Sequence, residues 1–390
     1  MKINELLNAL LNVSEKGANI ARIIRSESSL LDLLVQEKKG DQKNERFLQD
    51  FKTLADVLVQ ELVRYDLVEQ FPGLRGSIHG EESNKFTNTL GESVSVSIKL
   101  TREETSSLLT TVLNDDKTAA DLLSAVVHSP VHISQHLNSN ILDLTLAVED
   151  IGVWIDPIDS TAQYIQGQVG KMNPDGLVIE GLQCVCVLIG AYNKKTGLPV
   201  LGVINQPFYE YRVMDDRWTG HITWGVHQND VNVTSFSQEY HKTDKKKPIL
   251  LMSSSESSEM KDIFIQDFDV QFVTGAGYKL LCVSQGLADA YVLTKNSIFK
   301  WDCCGPHAVL QASDGGIVKY DGILECLKQT GSLTEIKTVE TFHKTSQIKY
   351  YEPDCPDLSG AQKWCNDGGI IAYRSIEVLH KIALALEKSR

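Results

Sequence analysis

The chain has 390 residues, 42% of them hydrophobic, and 51 acidic against 38 basic side chains give it a formal net charge of −13. Length and apolar content predict roughly two or three structural units with a sizeable core. The negative balance argues against a nucleic-acid backbone binder or a docker on anionic membrane, and no apolar run approaches bilayer-spanning length.

From residue 3 to about 70, helical spacing dominates. Met1-Lys2-Ile3-Asn4-Glu5 opens an amphipathic helix and lacks the apolar core of a secretory leader. Phe51, Leu54, Leu58 and Leu62 form one helical stripe, and Asp56 falls off it, facing either solvent or a cleft. Ile78-His79-Gly80 reads as a strand end carrying Glu81-Glu82, and alternation at Val94, Val96, Ile98 and Leu100 predicts a further strand. Val153, Trp154 and Ile155 are β-formers, and Pro157 holds Asp156 extended, so Asp156 ends a buried strand. Asp159, Ser160 and Thr161 then lead into a helix.

Residues 181–192 and 200–204 pair across a turn at 193–199, with Gly197 its left-handed residue. Strands and helices alternate over 249–312, where 304–312 is a helix with Asp302 near its start. A last strand, Ile370–Tyr373, precedes a helix at 374–388 with Ile376, Leu379, Ile382, Ala383 and Leu386 on one face. The polar stretches 102–145, 209–247 and 320–362 read as surface loops, the second containing Lys245-Lys246-Lys247. The whole is a layered α/β pattern of sheets covered by helices. Eight cysteines in mostly apolar contexts read as reduced, buried thiols, and a cytoplasmic location is the expectation.

The densest chemistry lies in Trp154-Ile155-Asp156-Pro157-Ile158-Asp159-Ser160-Thr161. Two carboxylates, the Ile158 carbonyl, two hydroxyls and a helix start place a metal site beside an anion cradle. Alone, such a run is better explained by an ordinary helix cap. Three further acidic motifs weigh against that. Asp56 sits on the early helix. In Gly80-Glu81-Glu82-Ser83, adjacent carboxylates repel unless a cation neutralises them. Lys300-Trp301-Asp302-Cys303-Cys304 offers either an N-cap or a carboxylate projected toward a metal. Asp56, Glu81 with its neighbour Glu82, Asp156, Asp159 and Asp302 form an all-oxygen set suited to a hard cation such as Mg²⁺. The chain has no zinc-spaced His or Cys pairs, Cys–Arg loop, complete P-loop or G-x-S-x-G elbow. Gly275-Ala276-Gly277-Tyr278-Lys279 begins like a dinucleotide fingerprint, but Leu280 stands where the third glycine belongs. Together these residues point to metal-assisted hydrolysis of a phosphate ester.

Four motifs in one order, D-x-x-T-x-A-D, G-E-E-S, W-x-D-P-I-D-S-T and W-D-x-C-x-x-H-A, resemble the magnesium-dependent, lithium-sensitive phosphatases. That superfamily includes inositol monophosphatase, fructose-1,6-bisphosphatase and 3′(2′),5′-bisphosphate nucleotidase. Ser160 replaces a glycine usual in the monophosphatase and nucleotidase motifs. With K-T-L-A-D-V-L-V-Q, G-L-Q-C-V and G-V-I-N-Q-P-F, it points to the branch acting on inositol polyphosphates.

The resemblance implies an α-β-α-β-α sandwich. An N-terminal half, 1–180, would carry most metal ligands; a C-terminal half, 181–390, would carry Asp302 and the substrate-binding residues. It implies two or three Mg²⁺ ions and inhibition by Li⁺. Glu81, Asp156, the Ile158 carbonyl, Asp159 and Asp302 would hold metal, while Asp56 and Thr161 activate water. Ser160 and Thr161 would hold the scissile phosphate. Gly275, Ala276, Lys279, Ser255 and Ser297 would line the rest of the substrate, with Ser257 standing where the family has lysine and Ser297 where it has threonine. The implied partner is a small inositol phosphate, and a monomer is expected. Two rivals are a sister enzyme for another phosphate ester and a non-catalytic inositol phosphate binder.

Overall fold

The computed structural model describes all residues except 27, 41–42, 44–49, 134–140, 142–143, 230, 237–246, 331–334, 352–354 and 390. The chain opens with α1 (Ile3–Ser26), α2 (Ser28–Leu33), the antiparallel pair β1 (Val35–Glu37) and β2 (Phe51–Thr53), and α3 (Leu54–Gln70). The predicted helical run is therefore broken, and Phe51 belongs to a strand. Thr53, extended at φ −117, caps α3 through a reciprocal pair of hydrogen bonds with Asp56, which stops the helix from reaching back to Phe51.

Next come β3 (Ile78–Gly80), the hairpin β4 (Lys85–Thr87) and β5 (Ser93–Ser95), α4 (Arg102–Thr110) and α5 (Lys117–His128). The strand predicted from Val94 to Leu100 shrinks to β5. The Lys99 amide donates to the Thr105 hydroxyl, outside any ladder, and Leu100 is exposed. The expected loop at 102–145 contains two capped helices: Thr101 and Glu104 form a capping box, and Asp116 caps α5.

The chain continues through β6 (Ile151–Asp159), α6 (Thr161–Gln166), β7 (Cys186–Asn193), β8 (Pro199–Arg212), β9 (Arg217–Gln228) and β10 (Val231–Thr234). Gly197, at φ +75, turns β7 into β8 as expected. Much of the stretch read as a loop at 209–247 is strand, because β8 and β9 stay paired out to Arg212↔Arg217. Lys245 and Lys246 lie outside the described residues; Lys247 is exposed and donates to the Ile265 carbonyl.

The remainder alternates β11 (Ile249–Met252), α7 (Ser258–Ile265), β12 (Asp269–Phe272), α8 (Ala276–Ser284), β13 (Ala290–Leu293), α9 (Lys300–Gln311) and β14 (Gly316–Lys319). Then follow α10 (Tyr320–Thr330), α11 (Ile336–Thr345), β15 (Ile370–Tyr373) and α12 (Ile376–Lys388). The predicted loop at 320–362 thus holds two helices, whose inner faces bury Ile323, Leu327, Val339 and Phe342.

Besides the two-stranded pairs β1–β2 and β4–β5, the described residues form two larger sheets, a six-stranded one in the order β10-β9-β8-β7-β6-β3 and a five-stranded one in the order β12-β11-β13-β15-β14. Three cores hold five layers together. The first packs α1 and α3 against the six-stranded sheet; the second fills the space between the sheets around α8 and α9; the third packs α7, α10, α11 and α12 on the outer face of the five-stranded sheet. This is the α-β-α-β-α order. The expected division at residue 180 runs through the six-stranded sheet, and the change of sheet falls between Thr234 and Ile249. Among the described residues no helix is long and apolar enough to cross a membrane. Six cysteines are buried; Cys326 and Cys355 are half-buried.

A row of glycines sets the depth of the middle layer. Gly190, Gly202 and Gly225 are cross-strand neighbours on β7, β8 and β9. A Cβ on Gly202 would lie 1.9 Å from the Gly305 carbonyl oxygen, so α9 rests directly on sheet backbone. Gly202→Ala is expected to destabilise the fold by about 1–3 kcal/mol, as overpacking does, and to reduce activity by displacing Asp302; urea denaturation and turnover of the variant check both.

Candidate active site

Asp156 and Asp159 project from the end of β6. The strand does not stop at Asp156: it resumes at Asp159, with the register to β7 broken between them. Pro157 lies within that break, where a ladder residue lacking an N–H is tolerated. The irregularity turns two carboxylates, normally on opposite faces at this spacing, toward one place. Asp302 joins them from the first turn of α9. One oxygen from each of the three carboxyls lies within 4.8 Å of the others, and all three residues are buried.

Few donors meet these charges. Asp302 Oδ2 accepts from the Phe299 amide at 2.6 Å, and Asp159 Oδ2 accepts from the Gly277 amide at 3.1 Å and the Ser160 hydroxyl at 3.3 Å. Asp156 Oδ1 is buried with no hydrogen-bond partner. Burial, then repulsion from Glu81, Asp159 and Asp302, pushes the Asp156 pKa well above the usual carboxylate value. Burial, then Asp159, does the same to Asp302. Burial raises Asp159 to about 6 against the opposing pull of the Gly277 amide and Lys279. A compact, all-oxygen, under-neutralised cluster fits a hard divalent cation.

Beside the trio, Thr161 begins α6. Its hydroxyl lies 3.1 Å from the Ile158 carbonyl oxygen and 3.4 Å from Asp56 Oδ1. Asp56 is fully buried, and its other oxygen accepts from the Thr53 amide at 2.7 Å and the Thr53 hydroxyl at 2.6 Å. Burial, then Glu82, raises its pKa to about 7. The residue that left the predicted stripe thus points neither to solvent nor onto the cavity wall, but at Thr161 from behind. Ser160 adopts the left-handed conformation at φ 72. Glycine adopts that conformation at no steric cost, whereas a serine there is strained.

Glu81 and Glu82 follow β3 but part company. Glu81 reaches the cavity wall, with one oxygen 2.5 Å from Lys38 Nζ. Glu82 is buried away from the wall, 2.6 Å from Lys38 Nζ and 3.7 Å from Lys52 Nζ. The two lysines thus supply the neutralising cation that the sequence reading assigned to a metal at Glu82. Burial disfavours the Lys38 ammonium, but Glu81, Glu82 and Asp50 outweigh it and leave its pKa well above the lysine norm. Lys38 was not foreseen: in Glu37-Lys38-Lys39-Gly40 it reads as a solvated loop lysine.

The trio opens into a cavity of about 330 Å³. Ile158, Ser160, Thr161, Gly275, Ala276, Lys279 and Ser297 line it with Glu81, Asp156, Asp159 and Asp302. Gly275 is required where it stands: at φ +84, a Cβ there would lie 2.5 Å from Ser160 Oγ. Ser255 and Ser257 are not on the wall. Ser257 is exposed and caps α7 through the Met260 amide, while Ser253 and Ser254 face the cavity instead. Phe51, Tyr291, Phe299 and Trp301 add an apolar side that no spacing rule flagged.

The burial of these carboxylates has a thermodynamic consequence. Without divalent cations, the folded chain holds more protons than the unfolded chain between the ordinary carboxylate range near about pH 4 and the raised values of about 6 for Asp159 and about 7 for Asp56. Stability is therefore greatest at the acid end of that window and falls as pH rises through it. In chelator, the melting temperature should drop from about pH 5 to about pH 8, and a divalent cation should restore it far more at the higher pH. A flat profile in chelator would contradict this charge assignment.

Comparison with known proteins places the chain in a family. The Inositol monophosphatase family matches residues 7–348. The chain is 41% identical to an inositol polyphosphate 1-phosphatase of Mus musculus, covering 96% of this chain and 94% of the relative. It is 40% identical to the Homo sapiens protein of the same description, with the same coverage of both chains. Among solved structures, the extragenic suppressor protein suhB from Bartonella henselae superposes with a TM-score of 0.51 at 12% identity, over 98% of this chain and 99% of that one, a likeness of fold. The fold, the buried acidic trio and the extent of these matches lead to one conclusion: the chain belongs to the inositol monophosphatase family.

Proposed function

We propose that this chain is a Mg²⁺-dependent phosphomonoesterase that removes the 1-phosphate from inositol polyphosphates such as inositol 1,4-bisphosphate and inositol 1,3,4-trisphosphate. The observation that carries the reading is the buried Asp156–Asp159–Asp302 trio opening onto the same cavity as a Thr161 hydroxyl backed by Asp56. The substrate class rests on relatives described as inositol polyphosphate 1-phosphatases, matched over nearly their whole length.

Asp156, Asp159, Asp302, Glu81 and the Ile158 carbonyl would hold two or three Mg²⁺ ions. Bound there, the metal supplies Lewis acidity, lowering the pKa of an attacking water and offsetting the charge of the phosphate. The chain's own residues do the rest. Thr161 orients the water and receives its proton through the hydroxyl that faces Asp56. Asp56, fixed by Thr53 and pushed up by burial, faces that hydroxyl and would accept its proton as the water's proton is taken up. The starts of α6 and α8, with Ser160, would cradle phosphate oxygens. Lys279 brings a positive charge to the wall where a second phosphate would lie. We read the protein as a cytoplasmic monomer acting on a small soluble substrate and inhibited by Li⁺.

The test is phosphate release from inositol 1,4-bisphosphate, inositol 1-phosphate, fructose 1,6-bisphosphate and 3′-phosphoadenosine 5′-phosphate, with and without Mg²⁺ and with millimolar Li⁺. Selective, Mg²⁺-dependent and Li⁺-sensitive turnover of the inositol bisphosphate is expected. Asp56→Asn should lower kcat by about 10²-fold or more, the scale of losing one preorganised polar group. Preference for another panel member overturns the substrate, and no turnover of any overturns the enzyme reading in favour of a binding protein.

A further inference from the structure

One buried carboxylate near the cavity belongs to neither the metal trio nor the Thr161–Asp56 pair. β11 and β13 are parallel neighbours, paired through Met252↔Val292, so the chain leaves both at the same end. The segment after β11 carries Ser253 and Ser254 to the cavity wall, and the segment after β13 carries Ser297. Neither segment belongs to a strand. Their hydroxyls, with the Lys279 ammonium, suit a polyol or phosphate and are not among the groups placed at the reacting bond.

Glu256 joins these two segments. It is 5% exposed. One carboxylate oxygen accepts from the Thr294 amide at 2.9 Å and the other from the Thr294 hydroxyl at 2.7 Å. The Lys295 ammonium crosses the same gap in the opposite direction, donating to the Ser255 carbonyl. On the near side, the Ser253 and Ser255 hydroxyls are bonded at 2.9 Å. A buried carboxylate is costly unless fully hydrogen-bonded. Here both oxygens are engaged by one residue of the opposing segment, which makes the contact a directional tie. It also keeps the charge turned toward Thr294, away from an incoming anion.

We infer that Glu256 is a positioning residue for substrate selection: it fixes the spacing of the Ser253–Ser254 and Ser297 walls and so favours a substrate with a second phosphate over one without. The inference rests on the function proposed above. Its test is steady-state kinetics at saturating Mg²⁺ with inositol 1,4-bisphosphate and inositol 1-phosphate for wild type, Glu256→Ala, Glu256→Gln and Thr294→Val, with thermal melts alongside. Glu256→Ala should raise KM for the bisphosphate by about tenfold or more, the scale of a lost charge-assisted hydrogen bond, while its kcat and the KM for the monophosphate hold.

Glu256→Gln keeps an acceptor for the Thr294 amide, and Thr294→Val keeps that amide, so each should give a smaller rise. Those two variants carry the test should Glu256→Ala fold poorly. Equal KM changes for both substrates, or a lowered melting temperature with unchanged KM, would overturn the inference. Wild-type failure on the bisphosphate instead overturns the functional reading beneath it.

Discussion

Mutual repulsion among Asp156, Asp159 and Asp302 is the constraint on which the rest of this structure turns. At about 4 Å and an effective dielectric near about 20, each charged pair costs about 4 kcal/mol. Among the described residues Lys279 offsets part of the charge at Asp159, while Asp156 Oδ1 is buried with no hydrogen-bond partner. Relaxing the cluster would require β6 or α9 to move, and packing prevents both. Glycines seat α9 on the backbone of β7, β8 and β9. Trp154 Nε1 donates to the Tyr350 carbonyl at 3.0 Å, while the Tyr350 hydroxyl meets His307 Nδ1 at 2.9 Å. One residue thus ties the strand bearing Asp156 to the helix bearing Asp302. The fold holds charges together that would otherwise separate, leaving the compensating charge to a ligand.

The acidic residues sort by where their compensation comes from. Glu82 has Lys38 and Lys52 at hand and lies in the interior as part of the framework. Asp56 has Thr53 on one oxygen and Thr161 on the other, an arrangement that orients a hydroxyl. Glu81 is intermediate, sharing Lys38 while facing the cavity. Among the described carboxylates of the site, the trio meets mainly one another. This gradation, from internally paired to uncompensated, separates groups that hold the site together from groups that act in it.

Much of the site was legible because its chemistry is local in sequence. W-I-D-P-I-D-S-T places two trio members, the Ile158 carbonyl and Thr161 within one turn, and the proline break that gathers them is visible as Pro157. Asp302 was legible as a carboxylate at a helix start. What escaped reading depends on long-range contact. Lys38 meets Glu81 across 43 positions, and Glu256 meets Thr294 across 38; nothing in their own neighbourhoods marks them. The mistaken loops have another cause. T-x-x-E at Thr101 was a capping box, and Ile323, Leu327, Val339 and Phe342 were helical faces diluted by polar residues. The alternation from Val94 to Leu100 misled because local pattern cannot show whether a partner strand exists.

The most direct test of this account is anomalous diffraction from crystals soaked in Mn²⁺ as a stand-in for Mg²⁺. The account predicts a strong peak enclosed by the carboxyl oxygens of Asp156, Asp159 and Asp302, with Glu82 still paired to Lys38 and Lys52. Absence of a peak there at saturating Mn²⁺, with the three carboxyls sharing protons among themselves, would contradict the claim that this trio is built to hold a divalent cation.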